Sequence, residues 1–363
     1  MGEENTSSSR GCVSARAPSV YSMHMVAHIH DCIIVGAGQA GLSTAFYLQR
    51  RGITPVILDN QPGPGAAWRH VWPSMTLFST PGFSNMSGMP MPNYHGPGDF
   101  PDAQHVIDYF TAYEQRYGFD IRRPVDVLKV NANTADGFVL ETSEGEFRAR
   151  TVVAATGTWA APFIPFLPGI FRGRQTHSAT YAGPEEFRGK KVAVVGAANS
   201  GAQIAAELTD VAEVTWFTRH EPRWMPDDVD GRVLFQRNRA RAQAVLAGEE
   251  DPGGDRNLGE IVMLPKVLEA RDSGALRATP MFDSLDELTE AGFDELVWCT
   301  GFRPAVRPFR ELVRTTDSGR LRSAMAGFHL VGYGEATGPG AGTIMGVQPF
   351  AREVAGEIAD ELS

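Results

Sequence analysis

Cysteine is scarce in this 363-residue chain, which contains only Cys12, Cys32 and Cys299. No two of them form a C-x-x-C pair, so the sequence offers neither the spacing of a zinc site nor a dithiol redox motif. A low, odd cysteine count is typical of a reducing compartment without structural disulfides. We therefore predict a cytoplasmic protein without a metal site.

Long hydrophobic runs are also missing. No apolar stretch approaches the roughly 20 residues that a membrane helix needs, and the N-terminal region has no signal-peptide pattern. Residues 1–30 are polar and without period, which predicts a disordered tail. The formal net charge of -10 argues against binding to nucleic acid or to an anionic membrane. Small molecules are therefore the predicted partners, and the sequence leaves a homodimer open.

Two segments, residues 31–60 and 190–219, share a short apolar strand, a glycine-rich turn and a helix. Each predicts a strand–helix–strand unit with a buried parallel strand, as in a doubly wound sheet. Further strands are predicted at residues 125–130, 138–142, 151–155, 295–299 and 328–332. Apolar positions at helical spacing predict helices over residues 103–117 and 343–362.

The first unit carries a dinucleotide fingerprint, because Gly36, Gly38 and Gly41 form G-x-G-x-x-G between a strand and a helix. Gly36 permits the tight turn, Gly38 lets the backbone approach a pyrophosphate, and Gly41 lets helix and strand pack closely. The helix N-terminus offers N–H groups to the phosphates. Asp59 ends the second strand, where it can accept from ribose hydroxyls. The predicted site also includes Gln39, Ala40 and Asn60.

The second unit has Gly196 and Gly201, but Ala198 replaces the middle glycine, which predicts weaker or displaced binding. Arg219 stands where the first unit has an acid, and a guanidinium there can grip a 2′-phosphate, which favours NADPH over NADH. The alternative is an ordinary surface arginine. Asn199 and Ser200 complete the predicted site. Two units with acidic and basic ends imply an electron path from a nicotinamide to a flavin.

Several motifs outside these units resemble those of the flavin-containing monooxygenase superfamily. Residues 171–181, FRGRQTHSATY, match the F-x-G-x-x-x-H-x-x-x-Y/F pattern of its class B members. Trp68 and the turns Ala155-Thr156-Gly157 and Thr300-Gly301 also match, and the likeness covers nearly all of residues 31–363. WRHVWPSMTLFS, PDDVDGRVLF and LVGYGEATGPGAGT resemble flavoprotein monooxygenases associated with arsenic-resistance operons.

The resemblance implies an α/β fold of two doubly wound, Rossmann-like dinucleotide-binding domains, the NADPH domain being inserted in the FAD domain. Its implied parts are residues 31–160 and 309–363 for FAD and residues 161–308 for NADPH. The two Thr–Gly turns would then be crossovers between the domains, close to bound dinucleotide. Trp68 is either a ring near the flavin or a core residue.

The resemblance also implies a reaction and the groups around it. NADPH reduces FAD, dioxygen adds at flavin carbon 4a, and the peroxyflavin oxygenates a small soft nucleophile containing sulfur, nitrogen or trivalent arsenic. Phe78 or Ser79 stands where mammalian-type enzymes have a flavin-facing Asn, and His177 is either a base or an interdomain hinge. The last motif adds four residues to the flavin site: Gly334 and Glu335 at the ribityl chain, and Gly342 and Thr343 in a turn opening the final helix.

Two other functions fit the same sequence. The first is an NADPH oxidase or flavin reductase that releases hydrogen peroxide, which the Phe78 and Ala198 departures favour. The second is a sensor that binds flavin and NADPH without turnover.

Overall fold

The structure is a computed structural model that describes Met1 and residues 28–98, 100–133, 137–227, 231–253 and 259–363. Most of the predicted disordered tail (residues 1–30), including Cys12, lies outside the described residues. The first strand begins at Ile29, just inside the predicted tail.

The described residues form an α/β fold of alternating strands and helices. The strands are β1 (Ile29–Val35), β2 (Val56–Leu58), β3 (Asp120–Arg122), β4 (Val127–Asn133), β5 (Gly137–Thr142), β6 (Gly145–Ala154), β7 (Arg174–His177), β8 (Lys191–Val195), β9 (Glu213–Thr218), β10 (Ala278–Pro280), β11 (Glu295–Trp298), β12 (Val313–Thr315), β13 (Leu321–Ser323) and β14 (Phe328–Leu330). The helices are α1 (Gln39–Gln49), α2 (Ala103–Tyr117), α3 (Asn199–Leu208), α4 (Gly231–Leu246), α5 (Pro265–Asp272), α6 (Leu285–Glu290) and α7 (Gln348–Leu362).

The first sheet is mixed rather than purely parallel. Its order is β3-β2-β1-β6-β5-β4, with β14 also pairing with β6. The strands β3, β2, β1, β6 and β14 pair in parallel, whereas β4, β5 and β6 form an antiparallel meander. The parallel part agrees with the sheet that the first glycine turn predicts, and the antiparallel meander is an addition to it.

The second sheet is parallel throughout, in the order β10-β9-β8-β11-β7. All of its strands lie in sequence between β6 and β14 of the first sheet. Its two central strands, β8 and β11, are mostly apolar and almost fully buried; β11 is buried at every position. Continuous burial of this kind is what helices on both faces of a parallel sheet produce.

Helix α2 confirms the predicted helix at residues 103–117 to the residue. Asp102 caps its N-terminus by accepting from the His105 N–H at 2.8 Å, and Gly118 ends it at φ 58°. Both are ordinary helix-end devices. Its buried face packs against the first sheet's core through Val106, Phe110 and Tyr113.

The final helix differs from its prediction. Helix α7 begins at Gln348 rather than at residue 343, because residues 340–347 form turns closed by hydrogen bonds such as Thr343 N–H to Gly340 O at 2.9 Å. None of the described helices is long and apolar enough to cross a membrane.

Candidate active site

A cleft of about 630 Å³ opens at the carboxyl ends of the parallel strands in the first sheet. Part of its lining comes from the residues that directly follow β1, β2, β6 and β14. Ligands of open α/β sheets bind at this edge, where successive connections leave to opposite faces. Lining positions include these predicted site residues: Gly36, Gly38, Gln39, Ala40, Asp59, Asn60, Trp68, Ala155, Thr156, Gly157, Gly334 and Gly342.

The glycines of the first turn are required by packing at two positions and leave open space at the third. Gly36 has φ 103°, and a Cβ there would lie 2.6 Å from the Ala155 carbonyl oxygen. A Cβ on Gly41 would lie 1.9 Å from the Gly36 carbonyl oxygen. Gly38 differs, since its added Cβ would meet only the Ala66 Cβ at 3.4 Å, an ordinary contact. Packing against the described residues therefore does not require a glycine at position 38, whereas a ligand approaching the backbone does.

Neither helix that follows a glycine turn is capped by a side chain. Gly38 stands at the N-cap of α1 and Ala198 at that of α3, and no acidic residue lies in either first turn. Among the other described helices, Asp102 caps α2 and Ser284 caps α6, whereas α5 and α7 also lack a side-chain cap. The first N–H groups of α1 and α3 thus stay available to an anion, as in dinucleotide sites.

Asp59 lies at the end of β2 and is only 4% exposed. Its Oδ2 accepts from Nε of Arg123 at 2.6 Å, and Arg123 in turn donates to both carboxylate oxygens of Glu114 at 2.7 Å.

Gln39, which follows the first glycine turn, donates from Nε2 to the Gly342 carbonyl oxygen at 3.0 Å. This bond joins the first turn to the last motif.

The two predicted crossovers run side by side. The Phe163 N–H donates to the Gly301 oxygen at 2.9 Å, and the Ala305 N–H donates to the Gly157 oxygen at 2.9 Å. Their threonines are held by the chain: the Thr156 hydroxyl donates to the Ala305 oxygen at 2.9 Å, and Thr300 hydrogen bonds to the Phe163 oxygen. The paired crossovers connect the two sheets beside the cleft.

The second glycine turn repeats the packing of the first. Gly196 has φ 142° and would place a Cβ 2.3 Å from the Cys299 oxygen, and a Gly201 Cβ would lie 2.1 Å from the Gly196 oxygen. The side-chain amide of Asn199, however, is bound by the backbone of a nearby loop. It donates to the Glu260 oxygen at 3.0 Å and accepts from the Val262 N–H at 2.9 Å. In this conformation the amide holds the loop at Glu260 and Val262, and its cofactor role stays a prediction. Ser200 follows it in the first turn of α3, half-buried.

Arg219 lines a second cleft, of about 600 Å³, at the carboxyl ends of β9 and β10. The guanidinium is exposed and makes no ion pair with any described residue. His220 lies beside it, and Glu221 and Asp283 also line this cleft. A cation is therefore free for a phosphate, in a wall that also contains two carboxylates.

His177 is buried with both ring nitrogens occupied. Nδ1 accepts from the Ala179 N–H at 3.0 Å, so Nε2 carries the proton and donates to the Gly301 oxygen at 3.1 Å. Burial lowers the pKa of His177 below its ordinary value, which keeps the ring neutral. In this arrangement the ring ties β7 to the second crossover, which favours the hinge role over the base.

Phe78 and Ser79 are not among the residues that line the first cleft. Ser79 is 1% exposed, and its Oγ lies 3.1 Å from that of Ser84. Neither residue therefore lines this cleft, since Ser79 is buried beside Ser84 and Phe78 is half-buried outside it. The placement of either residue opposite the flavin stays a prediction. Trp68 does line the cleft, in a 3-10 turn over Ala66–Arg69, and it also packs on the core.

Of the four predicted site residues in the C-terminal motif, Gly334, Glu335, Gly342 and Thr343, only the two glycines line the first cleft. The Glu335 carboxylate turns outward, where Oε2 accepts from Arg241 at 3.0 Å and Oε1 from the Gly340 N–H at 3.3 Å. In this conformation the Glu335 carboxylate is bound by the chain itself, and its contact with the ribityl chain stays a prediction. Thr343 bonds within its own turn, donating to the Gly340 oxygen at 2.9 Å.

Among the lining residues that were not predicted from the sequence, Arg307 and Trp159 have side chains suited to binding a dinucleotide. Arg307 follows the second crossover and is the cation in the first cleft's lining. It makes no ion pair within the described part of the chain. Trp159, in the first crossover, lines the same cleft and stacks on Phe302 with ring centroids 5.0 Å apart. Only the pairing of the crossovers brings these residues to the cleft, and that pairing has no local sequence signal.

Comparison with known proteins agrees with this geometry. The family described as pyridine nucleotide-disulphide oxidoreductase matches residues 33–246. A flavin-containing monooxygenase from Stenotrophomonas maltophilia is 38% identical, with a TM-score of 0.80 over 92% of this chain and 99% of that chain. The chain belongs to the flavin monooxygenases of this oxidoreductase family.

Curated relatives of this flavin monooxygenase family member are more distant. An uncharacterized CzcO-like oxidoreductase from Geobacillus kaustophilus is 28% identical over 289 residues, which is 76% of this chain and 81% of that protein. An indole-3-pyruvate monooxygenase from Oryza sativa is 32% identical over 213 residues, which is 57% of this chain and 52% of that protein.

Membership confirms the predicted class of enzyme, a flavin-dependent oxidoreductase, and FAD and NADPH are the cofactors expected of it. The described cysteines do not form the dithiol of a disulfide reductase, because Cys32 and Cys299 are both buried and unpaired. Burial raises the pKa of Cys32 to about 12, so its thiol stays protonated. The association with arsenic resistance stays a prediction.

Proposed function

We propose that this chain is an NADPH-dependent flavin monooxygenase that oxygenates a small soft nucleophile. The observation that carries the proposal is the first cleft, where an uncapped helix N-terminus meets a glycine turn whose open position, Gly38, faces lining residues rather than core. The cleft fits a long dianionic dinucleotide better than a compact metabolite, since glycine turn, terminal acid and crossovers follow one another along it.

FAD would be held mainly by backbone and by few charges. The N–H groups at the start of α1 would bind the pyrophosphate, with Arg307 adding a cation. Asp59 would accept from the adenosine ribose. Gly334, Gly342 and Trp68 line the cleft around these groups. FAD, when bound, supplies the redox chemistry, accepting a hydride from NADPH and activating dioxygen.

NADPH would bind at the second glycine turn, with its 2′-phosphate near Arg219. The proposed division has residues 161–308 as the NADPH-binding part, inserted between FAD-binding residues 31–160 and 309–363. In its favour, all strands of the second sheet lie between β6 and β14 in sequence, and the paired crossovers join the parts. His177 would fix their relative position. A cytoplasmic location and a homodimer remain predictions.

Coupled measurement of NADPH, product and peroxide tests the proposal. The purified holoenzyme is mixed with NADPH, oxygen and in turn a methyl aryl sulfide, a tertiary amine and arsenite. A monooxygenase consumes one NADPH, one proton and one dioxygen per oxygenated product and releases one NADP⁺ and one water.

Stoichiometric peroxide release with every substrate would overturn the monooxygenase proposal and favour the peroxide-forming oxidase. The position of Ser79 makes that outcome a specific alternative, because this segment offers no side-chain donor to the first cleft. Bound flavin that is never reduced would instead favour the sensor.

A further inference from the structure

A buried ion network lies behind the ribose end of the first cleft. Arg123 follows β3 and donates from Nη1 and Nη2 to the two oxygens of Glu114 on α2, each at 2.7 Å, and from Nε to Oδ2 of Asp59 at 2.6 Å. The side chains of Arg123, Asp59 and Glu114 are 12%, 5% and 10% exposed. One guanidinium thus neutralises one of two buried carboxylates.

The two oxygens of Asp59 have different surroundings. Oδ2 is bound by Arg123, whereas no described residue donates to Oδ1. Oδ1 keeps some solvent access, because among the described side-chain atoms that are fully buried and lack a hydrogen-bond partner there is Ser178 Oγ but not Asp59 Oδ1. Since Asp59 lines the cleft, Oδ1 is the oxygen left for a ligand.

The bidentate contact of Arg123 with Glu114 determines which oxygen of Asp59 Arg123 binds. Two parallel hydrogen bonds to Glu114 set the plane of the guanidinium, which leaves Nε aimed at Asp59. The backbone holds the same register, since the Asp59 N–H donates to the Arg122 oxygen at 3.1 Å and the Val125 N–H donates to the Asp59 oxygen at 2.9 Å. Burial lowers the pKa of Arg123, but the hydrogen bonds to both carboxylates more than offset this and raise it.

We infer that Arg123 is a positioning residue, which holds the Asp59 carboxylate so that Oδ1 accepts from the adenosine 2′-hydroxyl of FAD. The inference rests on the proposed placement of FAD in the first cleft. Glu114 does not line the cleft and acts only through Arg123, whose guanidinium it orients. A lysine has no fork and cannot satisfy both carboxylates in this way.

The neighbouring arginine supplies a matched control. Arg122 pairs with Asp120 at 2.7 Å, and its side chain is 49% exposed. Arg122→Lys therefore makes the same chemical change one residue away, outside the buried network.

The test measures ribose recognition rather than activity. ADP and 2′-deoxy-ADP are compared as competitors that displace FAD from the holoenzyme, with release read by flavin fluorescence. A hydrogen bond to a charged acceptor is worth about 1.5–3 kcal/mol, so the wild type should prefer ADP by roughly tenfold or more. We expect Arg123→Lys to reduce that preference to about twofold or less and Glu114→Gln, which removes one acceptor of the fork, to reduce it in part, whereas Arg122→Lys keeps it.

The double variant Arg123→Met/Glu114→Met covers the case in which Arg123→Lys does not fold. It removes the cation together with one carboxylate, an exchange that proteins often tolerate, and it leaves Asp59 without its clamp. Loss of the ADP preference in this variant supports the inference.

Two results would overturn the inference. One is a full ADP preference in a folded Arg123 variant. The other is an equal loss of affinity for ADP and 2′-deoxy-ADP, which a merely structural role predicts. A wild type that binds FAD but does not distinguish the two nucleotides would overturn the role of Asp59 as well. A wild type that takes up no FAD would contradict the proposed function itself.

Discussion

Two alanine substitutions in the first glycine turn separate packing from ligand approach. In Gly41→Ala the new Cβ would lie 1.9 Å from the Gly36 oxygen and 3.1 Å from its carbonyl carbon. Both atoms are backbone, so the turn and α1 must move apart. In Gly38→Ala the new Cβ would lie 3.4 Å from the Ala66 Cβ, and φ at Gly38 is -79°, which alanine adopts freely.

The expected free energies follow from these contacts. Overpacking against backbone costs about 3 kcal/mol or more, and the better helix propensity of alanine returns about 1 kcal/mol. Gly41→Ala should therefore lose roughly 2 kcal/mol of stability even without flavin. Gly38→Ala loses only the N-cap preference for glycine over alanine, about 0.5–1 kcal/mol. Its methyl group instead faces the approaching pyrophosphate, so FAD affinity should fall tenfold or more, about 1.4 kcal/mol.

Urea unfolding of the flavin-depleted chain and FAD titration of the same preparations measure the two effects. Gly41→Ala should lower the unfolding midpoint clearly more than Gly38→Ala does, whereas Gly38→Ala should lose FAD affinity with only a small loss of stability. Wild-type FAD affinity in Gly38→Ala would refute the assignment of this turn to the pyrophosphate.

Three further predictions follow from single side chains. Arg307→Ala should weaken FAD binding about fivefold, because an exposed charge pair is worth roughly 1 kcal/mol, and its FAD affinity should depend less on salt than that of the wild type. The control Arg310→Ala, at an exposed neighbouring position, should bind FAD like the wild type. Equal FAD titration curves for Arg307→Ala and the wild type would contradict this prediction. Arg219→Ala should raise the KM for NADPH about tenfold and leave that for NADH unchanged, and an unchanged ratio of the two would make Arg219 a surface residue. His329 is bound by Glu357 and Glu361 at 3.1 and 3.0 Å; burial lowers its pKa, but these bonds raise it above the ordinary 6.5. A histidine whose pKa is raised in the folded state stabilises the fold fully below its unfolded pKa of 6.5, and this stabilisation is lost as pH rises through the folded-state pKa. The urea midpoint of the wild type should therefore fall as pH rises from 6.5 through the folded-state pKa of His329. His329→Gln should make this fall smaller.

Local patterns were sufficient for the parts of the fold that depend on neighbours in sequence. The glycine turns, the strand before each, and α2 with its caps Asp102 and Gly118 all express short-range rules of conformation and period. They place the cleft correctly because parallel strands bring their carboxyl ends to one edge.

Tertiary contacts decided the rest. Asn199 is used by the backbone of Glu260 and Val262, and Glu335 by Arg241 from α4, partners that lie far away in sequence. Arg123 gave no local sign of its role, because its partners come from β2 and α2. The start of α7 was misplaced for another reason: the turns of residues 340–347 are closed by glycine and threonine hydrogen bonds that mimic a helical beginning.

The most direct test of a flavin enzyme driven by NADPH is anaerobic mixing of the purified chain with NADPH in a stopped-flow instrument. The structure predicts that bound flavin loses its visible absorbance within seconds, and that Arg219→Ala slows this at limiting NADPH. A preparation that holds no flavin, or flavin that stays oxidised for minutes at saturating NADPH, would contradict the account.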